Sequence, residues 1–321
     1  MTTRLRVVFL GTPEFAGPSL QALLDEAEVL AVITQPDRPK GRGRQVTAPP
    51  VAEVANAKGL RLLQPARLRS PEVIETLRAL APDLNVTVAY GKIIPREVLE
   101  LPRLGSINVH PSLLPKYRGA SPIVSAILNG ETETGVTIMY QSMELDAGDL
   151  ILQHRVPIAP EDTARMLEGR LARLGADALV EALRLIAAGR APRIPQDPAA
   201  ATYTGKLEKE HGRIDWAKPA RELVNLIRAM DPWPSAYTTH RGQLLKVWRA
   251  AVTDESRAEE PGTVLDVRPG EGILVAAGQG AVRLLEVQPE DRRRMSADEY
   301  ARGARLRPGE RLAEGADRRM L

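Results

Sequence analysis

Cysteine is absent from all 321 residues, which excludes disulfides, thiolate zinc sites and a cysteine nucleophile together. Aromatic residues make up only 3% of the chain, so Leu, Val, Ile and Ala must supply most of the core. No apolar run approaches the roughly 20 residues that a membrane-spanning helix needs. Strand-like sequence begins within a few residues of Met1, with no secretory signal ahead of it, and a cytoplasmic location is expected. An excess of one charge is missing as well. The 44 basic and 41 acidic residues leave a net charge of +3, so whole-chain charge only weakly suggests a nucleic-acid partner. No metal site is expected.

What is present is alternation. Arg6 to Leu10 is a short apolar run ending at Gly11, the pattern of a buried strand entering a turn. Pro18 to Glu28 carries Leu20, Leu23, Leu24 and Ala27 at helical spacing, and Val29 to Thr34 reads as a second strand. A helical stripe from Val73 to Leu80 precedes further strands at Asp83–Tyr90, Ser106–Val109 and Gly135–Gln141; Met166 to Ala187 reads as a long helix. This order predicts an α/β fold with a Rossmann-like, mostly parallel sheet and helices on both faces. Residues 190–205 lose periodicity and read as a linker between a first domain, 1–189, and a second, 206–321. Short Gly-punctuated apolar runs between Leu244 and Val287 predict an OB-like β-barrel there. The Arg-rich stretch after Asp291 reads as a partly solvated tail. Asn85 places an amide in an otherwise apolar strand, and the sequence offers no reason for it.

The first βα turn, Gly11-Thr-Pro-Glu-Phe15, is neither a dinucleotide fingerprint nor a P-loop. The segment with the most chemistry is Ser106-Ile-Asn-Val-His-Pro-Ser-Leu-Leu-Pro-Lys-Tyr-Arg-Gly119. Asn108 and His110 stand two apart at a strand end and so share a face. That carboxyl edge is where open α/β sheets bind ligands. Leu145-Asp-Ala-Gly-Asp149 is a glycine loop able to bring Asp146 to the same edge. An amide, an imidazole and a carboxylate suit acyl transfer to an amine: amide and protonated imidazole stabilise charge growing on a carbonyl oxygen, and the carboxylate raises the imidazole pKa. Read from spacing alone, the same residues also match a structural histidine and a turn aspartate.

The segment resembles the 10-formyltetrahydrofolate-dependent formyltransferases. Asn108-Val-His110, Ser112-Leu-Leu-Pro115, Tyr117-Arg-Gly119, Glu133-Thr-Gly-Val-Thr137 and Leu145-Asp-Ala-Gly-Asp149 follow that family's motifs in order. The resemblance implies catalytic roles for Asn108, His110 and Asp146 and 10-formyltetrahydrofolate as cosubstrate. It implies a folate site lined by Ser112, Leu113, Leu114 and Pro115, with Tyr90 and Gly91 from Val88-Ala-Tyr-Gly91 shaping the pteridine pocket.

Within the family, the chain resembles the members that formylate methionyl initiator tRNA. Gln35 to Arg44 is a Pro/Gly loop with four basic side chains, Arg38, Lys40, Arg42 and Arg44, expected to meet the acceptor end of the tRNA and equally what a solvated loop looks like. Ile214-Asp-Trp216, Asp231-Pro-Trp-Pro234 and Lys246-Val-Trp248 resemble stretches of the same enzymes. After residue 205 there are 21 basic against 19 acidic residues, so a tRNA surface there requires clustering of charge. A monomer is expected. The rival readings are a formyltransferase acting on a small amine, which the basic loop and second domain disfavour, and a non-catalytic RNA-binding protein on the same fold. The intact Asn108, His110 and Asp146 disfavour the latter.

Overall fold

The apolar run that opens the chain forms an interior strand of a seven-stranded sheet. The computed structural model describes residues 4–40, 45–253, 255 and 259–313, without the side chains of 39, 40 and 45. The chain divides into two units. Met1–Pro122, Glu133–Pro157 and Glu168–Thr204 form the first; Ile123–Thr132, Ile158–Leu167 and Gly205–Leu321 form the second.

The first unit begins β1 (Arg6–Gly11), α1 (Gly17–Glu26) and β2 (Glu28–Ile33). A two-stranded ribbon, β3 (Arg38–Lys40) with β4 (Gln45–Thr47), leads to α2 (Pro50–Ala57) and the short β5 (Leu62–Leu63). Then come α3 (Pro71–Leu80), β6 (Leu84–Val88), α4 (Arg96–Leu99), β7 (Ser106–His110) and β8 (Arg118–Gly119). After α5 (Pro122–Leu128), which falls in the second unit from Ile123 on, β9 (Glu133–Tyr140) and β10 (Leu150–Pro157) precede α6 (Ala164–Ala187), which rejoins the first unit at Glu168, and β11 (Tyr203–Thr204). The sheet order is β10-β9-β7-β6-β1-β2-β5. Strands β5, β2, β1, β6 and β7 are parallel, whereas β9 is antiparallel to both β7 and β10. The strand Gly135–Gln141 expected from sequence therefore belongs to an antiparallel hairpin whose second arm was not expected.

Chain order grows to one side of β1 through β2 and β5, then reverses through β6 and β7. Right-handed crossovers place the helices of the two halves on opposite faces, and the reversal opens a crevice at the carboxyl ends of β1 and β6. Every residue of β6 is buried, which makes its polar members informative. The Asn85 amide donates to the Val98 carbonyl at 2.8 Å and to Ser106 Oγ at 3.1 Å; Ser106 Oγ donates to the Leu99 carbonyl at 2.8 Å. Two side chains of the sheet thus satisfy the last carbonyls of the one-turn helix α4, which it cannot satisfy itself.

In the second unit, α7 (Ala220–Ala229) puts Leu223 and Ile227 into a core with Trp216, Val247, Val282 and Leu284. Around it run β12 (Ala236–His240), β13 (Gln243–Thr253), β14 (Val264–Arg268), β15 (Gly272–Ala276) and β16 (Ala281–Pro289). The chain continues through β17 (Met295–Ser296), α8 (Ala297–Ala304) and β18 (Leu312–Ala313). The sheet order is β14-β15-β16-β13-β12-β18, with β17 beside β16. The Val264 N–H donates to the Glu310 carbonyl and the Leu312 N–H to the Gly262 carbonyl, both at 2.8 Å. These bonds return the last strand to the first and close the sheet into a small barrel. The stretch after Asp291 is thus no loose tail up to residue 313. Its buried apolar residues Ala297, Ala301, Leu306 and Leu312 are spaced among arginines, which hid them from a composition-based reading.

Candidate active site

Asn108 and His110 sit at the carboxyl end of β7, between β6 and β9, and both are at least nine-tenths buried. The loop 145–149 brings Asp146 beside them, with Oδ2 3.7 Å from His110 Nδ1. Asp146 adopts a left-handed backbone, φ 49°, and its Oδ2 accepts the Gly119 N–H at 2.8 Å. A Cβ at Gly148 would overlap the Tyr140 carbonyl, so the tight return of this loop requires glycine there. Among the described residues, no group hydrogen-bonds the Asn108 side-chain amide. An amide at a buried strand end without a protein partner is free to serve a ligand.

His110 Nε2 lies 2.9 Å from the Tyr117 carbonyl oxygen. A carbonyl only accepts, so Nε2 carries the hydrogen and Nδ1 is the basic nitrogen. Burial pushes the imidazole pKa below its ordinary value; the Asp146 carboxylate and the bond to Tyr117 push it upward but do not outweigh burial. The carboxylate acts in the direction expected from sequence, but loss of hydration is larger, so burial favours the neutral ring, with Nδ1 facing Asp146.

The segment from Ser112 to Pro115 is pinned from below by Thr137, which is fully buried. Thr137 Oγ1 donates to the Ser112 carbonyl at 2.6 Å and accepts from the Leu114 N–H at 3.1 Å and Gln153 Nε2 at 2.9 Å. The Ser112 hydroxyl donates to the Lys116 carbonyl at 2.7 Å, and the Leu114 side chain is buried. Leu113 and Pro115 are half-exposed. Tyr90 packs its ring into the core with Val8, Leu10, Ile33 and Leu77. What it presents near the edge is its carbonyl, which accepts from Thr12 Oγ1 at 3.0 Å and Gln35 Nε2 at 2.9 Å. Gly91 follows at φ 79°, and a Cβ there would lie 2.6 Å from Gln35 Nε2.

Arg38 and Lys40 belong to strand β3 of the β3–β4 ribbon rather than to a plain loop. Arg38 is exposed and Lys40 ends β3, while Arg42 and Arg44 lie outside the described residues. The sequence reading missed Thr137, Gln153, Arg118 and Gln196. Thr137 stood inside a quoted motif, but nothing in the sequence signals that it bonds two points of the loop and Gln153 of β10. Arg118 is buried, and its guanidinium donates to Gln196 Oε1 at 2.8 and 3.2 Å. Among the described residues, no helix is long and apolar enough to cross a membrane, and no group of three or more His, Asp or Glu could hold a metal ion.

Relatives of known name match the chain almost end to end. The methionyl-tRNA formyltransferase of Moorella thermoacetica is 50% identical over 309 residues, 96% of this chain and 99% of that protein. The methionyl-tRNA formyltransferase of Acetivibrio thermocellus is 48% identical over 312 residues, 97% of this chain and 100% of that one. Among solved structures, the N-formyltransferase from Helicobacter canadensis in complex with folinic acid and dTDP-3-aminofucose superposes with a TM-score of 0.65 at 20% identity, covering 89% of this chain and 99% of that one. HypX from Aquifex aeolicus, in complex with tetrahydrofolic acid, gives 0.62 at 21% identity over 93% of this chain and 47% of that chain. Such low identities show the fold alone. The profile of the formyl transferase family matches residues 5–183, and that of the formyl transferase C-terminal domain matches residues 206–305, so this chain belongs to the formyl transferase family.

Proposed function

We propose that this chain transfers the formyl group of 10-formyltetrahydrofolate to the α-amino group of methionyl initiator tRNA. The observation that carries the chemistry is the pairing of an unspent amide, Asn108, with a buried histidine whose one basic nitrogen faces Asp146. The near end-to-end identity to relatives named for this acceptor supports the choice of tRNA. In this reading residues 1–189 carry the reaction, 190–205 join the parts, and 206–321 help hold the tRNA. The chain works as a monomer in the cytoplasm.

The folate cosubstrate supplies an activated formyl carbonyl. The residues present fit such a group: a free amide donor at the strand end, the half-exposed Leu113 and Pro115 beside it, and Gly91 at the crevice. Asn108 donates to the carbonyl oxygen as charge grows there, a contribution worth about 10²–10³ in rate for one such donor. His110 takes the proton of the attacking amine on Nδ1, Asp146 stabilises the imidazolium so formed, and His110 returns that proton to N10 of the folate as the bond between N10 and the formyl carbon breaks and tetrahydrofolate leaves. This differs from a charged His110 waiting in the resting site, because burial disfavours that form. The side chains of Arg38, Lys40, Arg42 and Arg44 pair with backbone phosphates of the acceptor arm.

The test supplies 10-formyltetrahydrofolate with charged methionyl initiator tRNA and, in parallel, glycinamide ribonucleotide. Formyl transfer to the tRNA alone is expected. Transfer to the small amine alone would leave the catalytic residues in place and overturn the acceptor; transfer to neither would overturn the reading.

A further inference from the structure

Residues 190–204 look featureless in sequence but are stitched residue by residue to the candidate site. Ile194 and Leu150 exchange backbone bonds at 2.8 and 3.1 Å, and the Arg193 guanidinium lies 3.7 Å above the Tyr140 ring. Tyr203 and Thr204 run parallel to Arg118 and Gly119, and Thr202 Oγ1 accepts the Tyr117 N–H at 2.8 Å. Two residues beyond the Ile194 anchor, Gln196 turns inward and is nine-tenths buried. Its Nε2 donates to the Asp146 carbonyl and to the Gly148 carbonyl, both at 2.8 Å. Its Oε1 accepts from Arg118 Nε at 3.2 Å and Nη2 at 2.8 Å. Two N–H groups and two lone pairs are thereby all engaged, the full capacity of a carboxamide.

We infer that Gln196 is a positioning residue for the reaction, holding the Asp146–Gly148 turn so that the Asp146 carboxylate faces His110 Nδ1. This rests on the reading of Asp146 given above. Asp146 is a non-glycine residue at φ 49°, a backbone state that persists only when its surroundings impose it. The surroundings that do so are few. The Gly119 N–H holds the carboxylate, the Tyr140 N–H donates to the Asp149 carbonyl at 2.9 Å, and among the described residues Gln196 alone grips the carbonyls of the turn on either side of Ala147. Arg118 fixes which way the Gln196 amide points, since a guanidinium only donates and must therefore meet Oε1. Both N–H groups are then directed at the turn. Asparagine is one methylene too short to span the same distances, and glutamate, the same length, has no N–H to offer.

Glutamate is accordingly the discriminating substitution. Gln196→Glu keeps the shape and gains a favourable charge beside Arg118, yet sets carboxylate oxygen against two carbonyls. The experiment measures kcat and KM for methionyl initiator tRNA and for 10-formyltetrahydrofolate with wild type, Gln196→Glu, Gln196→Ala and Asp146→Ala. It adds the Asp146→Ala/Gln196→Glu double variant and a thermal melt of each. Both Gln196 variants are expected to lose about tenfold or more in kcat, with KM for either substrate within about twofold of wild type. In the Asp146→Ala background, Gln196→Glu is expected to add less than about twofold, because residues acting as a unit are not additive. A Gln196→Glu enzyme with wild-type kcat would mean that Gln196 only accommodates Arg118, and would overturn the inference; so would full additivity in the double variant. Near-normal turnover of Asp146→Ala would instead overturn the reading of Asp146 itself, an outcome distinct from either. If Gln196→Ala fails to fold, Gln196→Glu still decides.

Discussion

Asp146 Oδ2 stands 3.7 Å from His110 Nδ1, too far for a direct hydrogen bond and close enough for a strong charge interaction once the ring is protonated. The opposite nitrogen is already committed to the Tyr117 carbonyl. In the proposed reaction this pair, incomplete at rest, becomes an ion pair when a proton arrives from the reacting amine.

That arrangement fixes the direction of the pH dependence. Burial holds the His110 pKa below the ordinary imidazole value of 6.5. A proton acceptor of that kind stays competent as pH falls past 6.5, so the acid limb of kcat/KM is expected below that value. Asp146→Asn removes the interaction that raises the ring's pKa and should move the acid limb lower still while reducing turnover. Stability follows the same sign. Between the folded and unfolded pKa values the unfolded chain binds more protons at this site. Its contribution to stability is present above about pH 6.5 and is lost as pH falls through the folded value. A pH–rate profile with the acid limb above 6.5 would show the resting imidazole to be charged.

Asn108→Ala should lower kcat by about 10²–10³, the cost of losing one preorganised donor to a developing oxyanion. The affinity for tRNA should be largely spared, since among the described residues Asn108 has no protein partner whose loss would propagate. Steady-state kinetics together with a separate tRNA-binding measurement check both halves. Near-normal turnover would remove Asn108 from the chemistry.

Asn85 makes a contrasting prediction. Its amide serves the Val98 carbonyl and Ser106 at the end of α4, so Asn85→Ala leaves a buried carbonyl without its donor. Such a change costs about 1–3 kcal/mol, to be read as a lower denaturation midpoint. Turnover per folded molecule should hardly change, because the amide faces α4 rather than the carboxyl edge of the sheet. An unaltered midpoint would mean that another donor replaces it.

These two asparagines show what the sequence made legible. Strand periodicity puts Asn108 on one face with His110 at the strand end, and the resemblance to the formyltransferases singles it out as a candidate. Asn85 sits in an equally apolar strand, but its partners come from residues 13 and 21 positions away, and local pattern carries no record of them. The same limit hid Gln196, whose partners lie 48 to 78 positions back in the chain. Segment 190–204 has no hydrophobic period because hydrogen bonds and one stacked arginine hold it, rather than a buried stripe. The sheet and the barrel were legible for the opposite reason: both are built from apolar runs. The arm β10 escaped because its burial pattern is mixed, with only Ile151 fully buried.

The basic ribbon makes a prediction that separates tRNA handling from chemistry. Arg38 is exposed on β3, and Arg42 follows beyond Lys40 in the sequence. If these side chains neutralise phosphates of the acceptor arm, each lost contact lowers the slope of log K against log salt by about 0.7–0.9. Arg38→Ala and Arg42→Ala should weaken tRNA binding at low salt and make it less sensitive to added salt. The affinity for 10-formyltetrahydrofolate, and kcat at saturating tRNA, should stay near wild type, because neither side chain belongs to the Asn108–His110–Asp146 group. A titration of tRNA binding across several salt concentrations, set beside folate binding, decides the matter. An unchanged slope, or a change confined to folate affinity, would take the ribbon out of tRNA recognition and leave the reaction at His110 untouched.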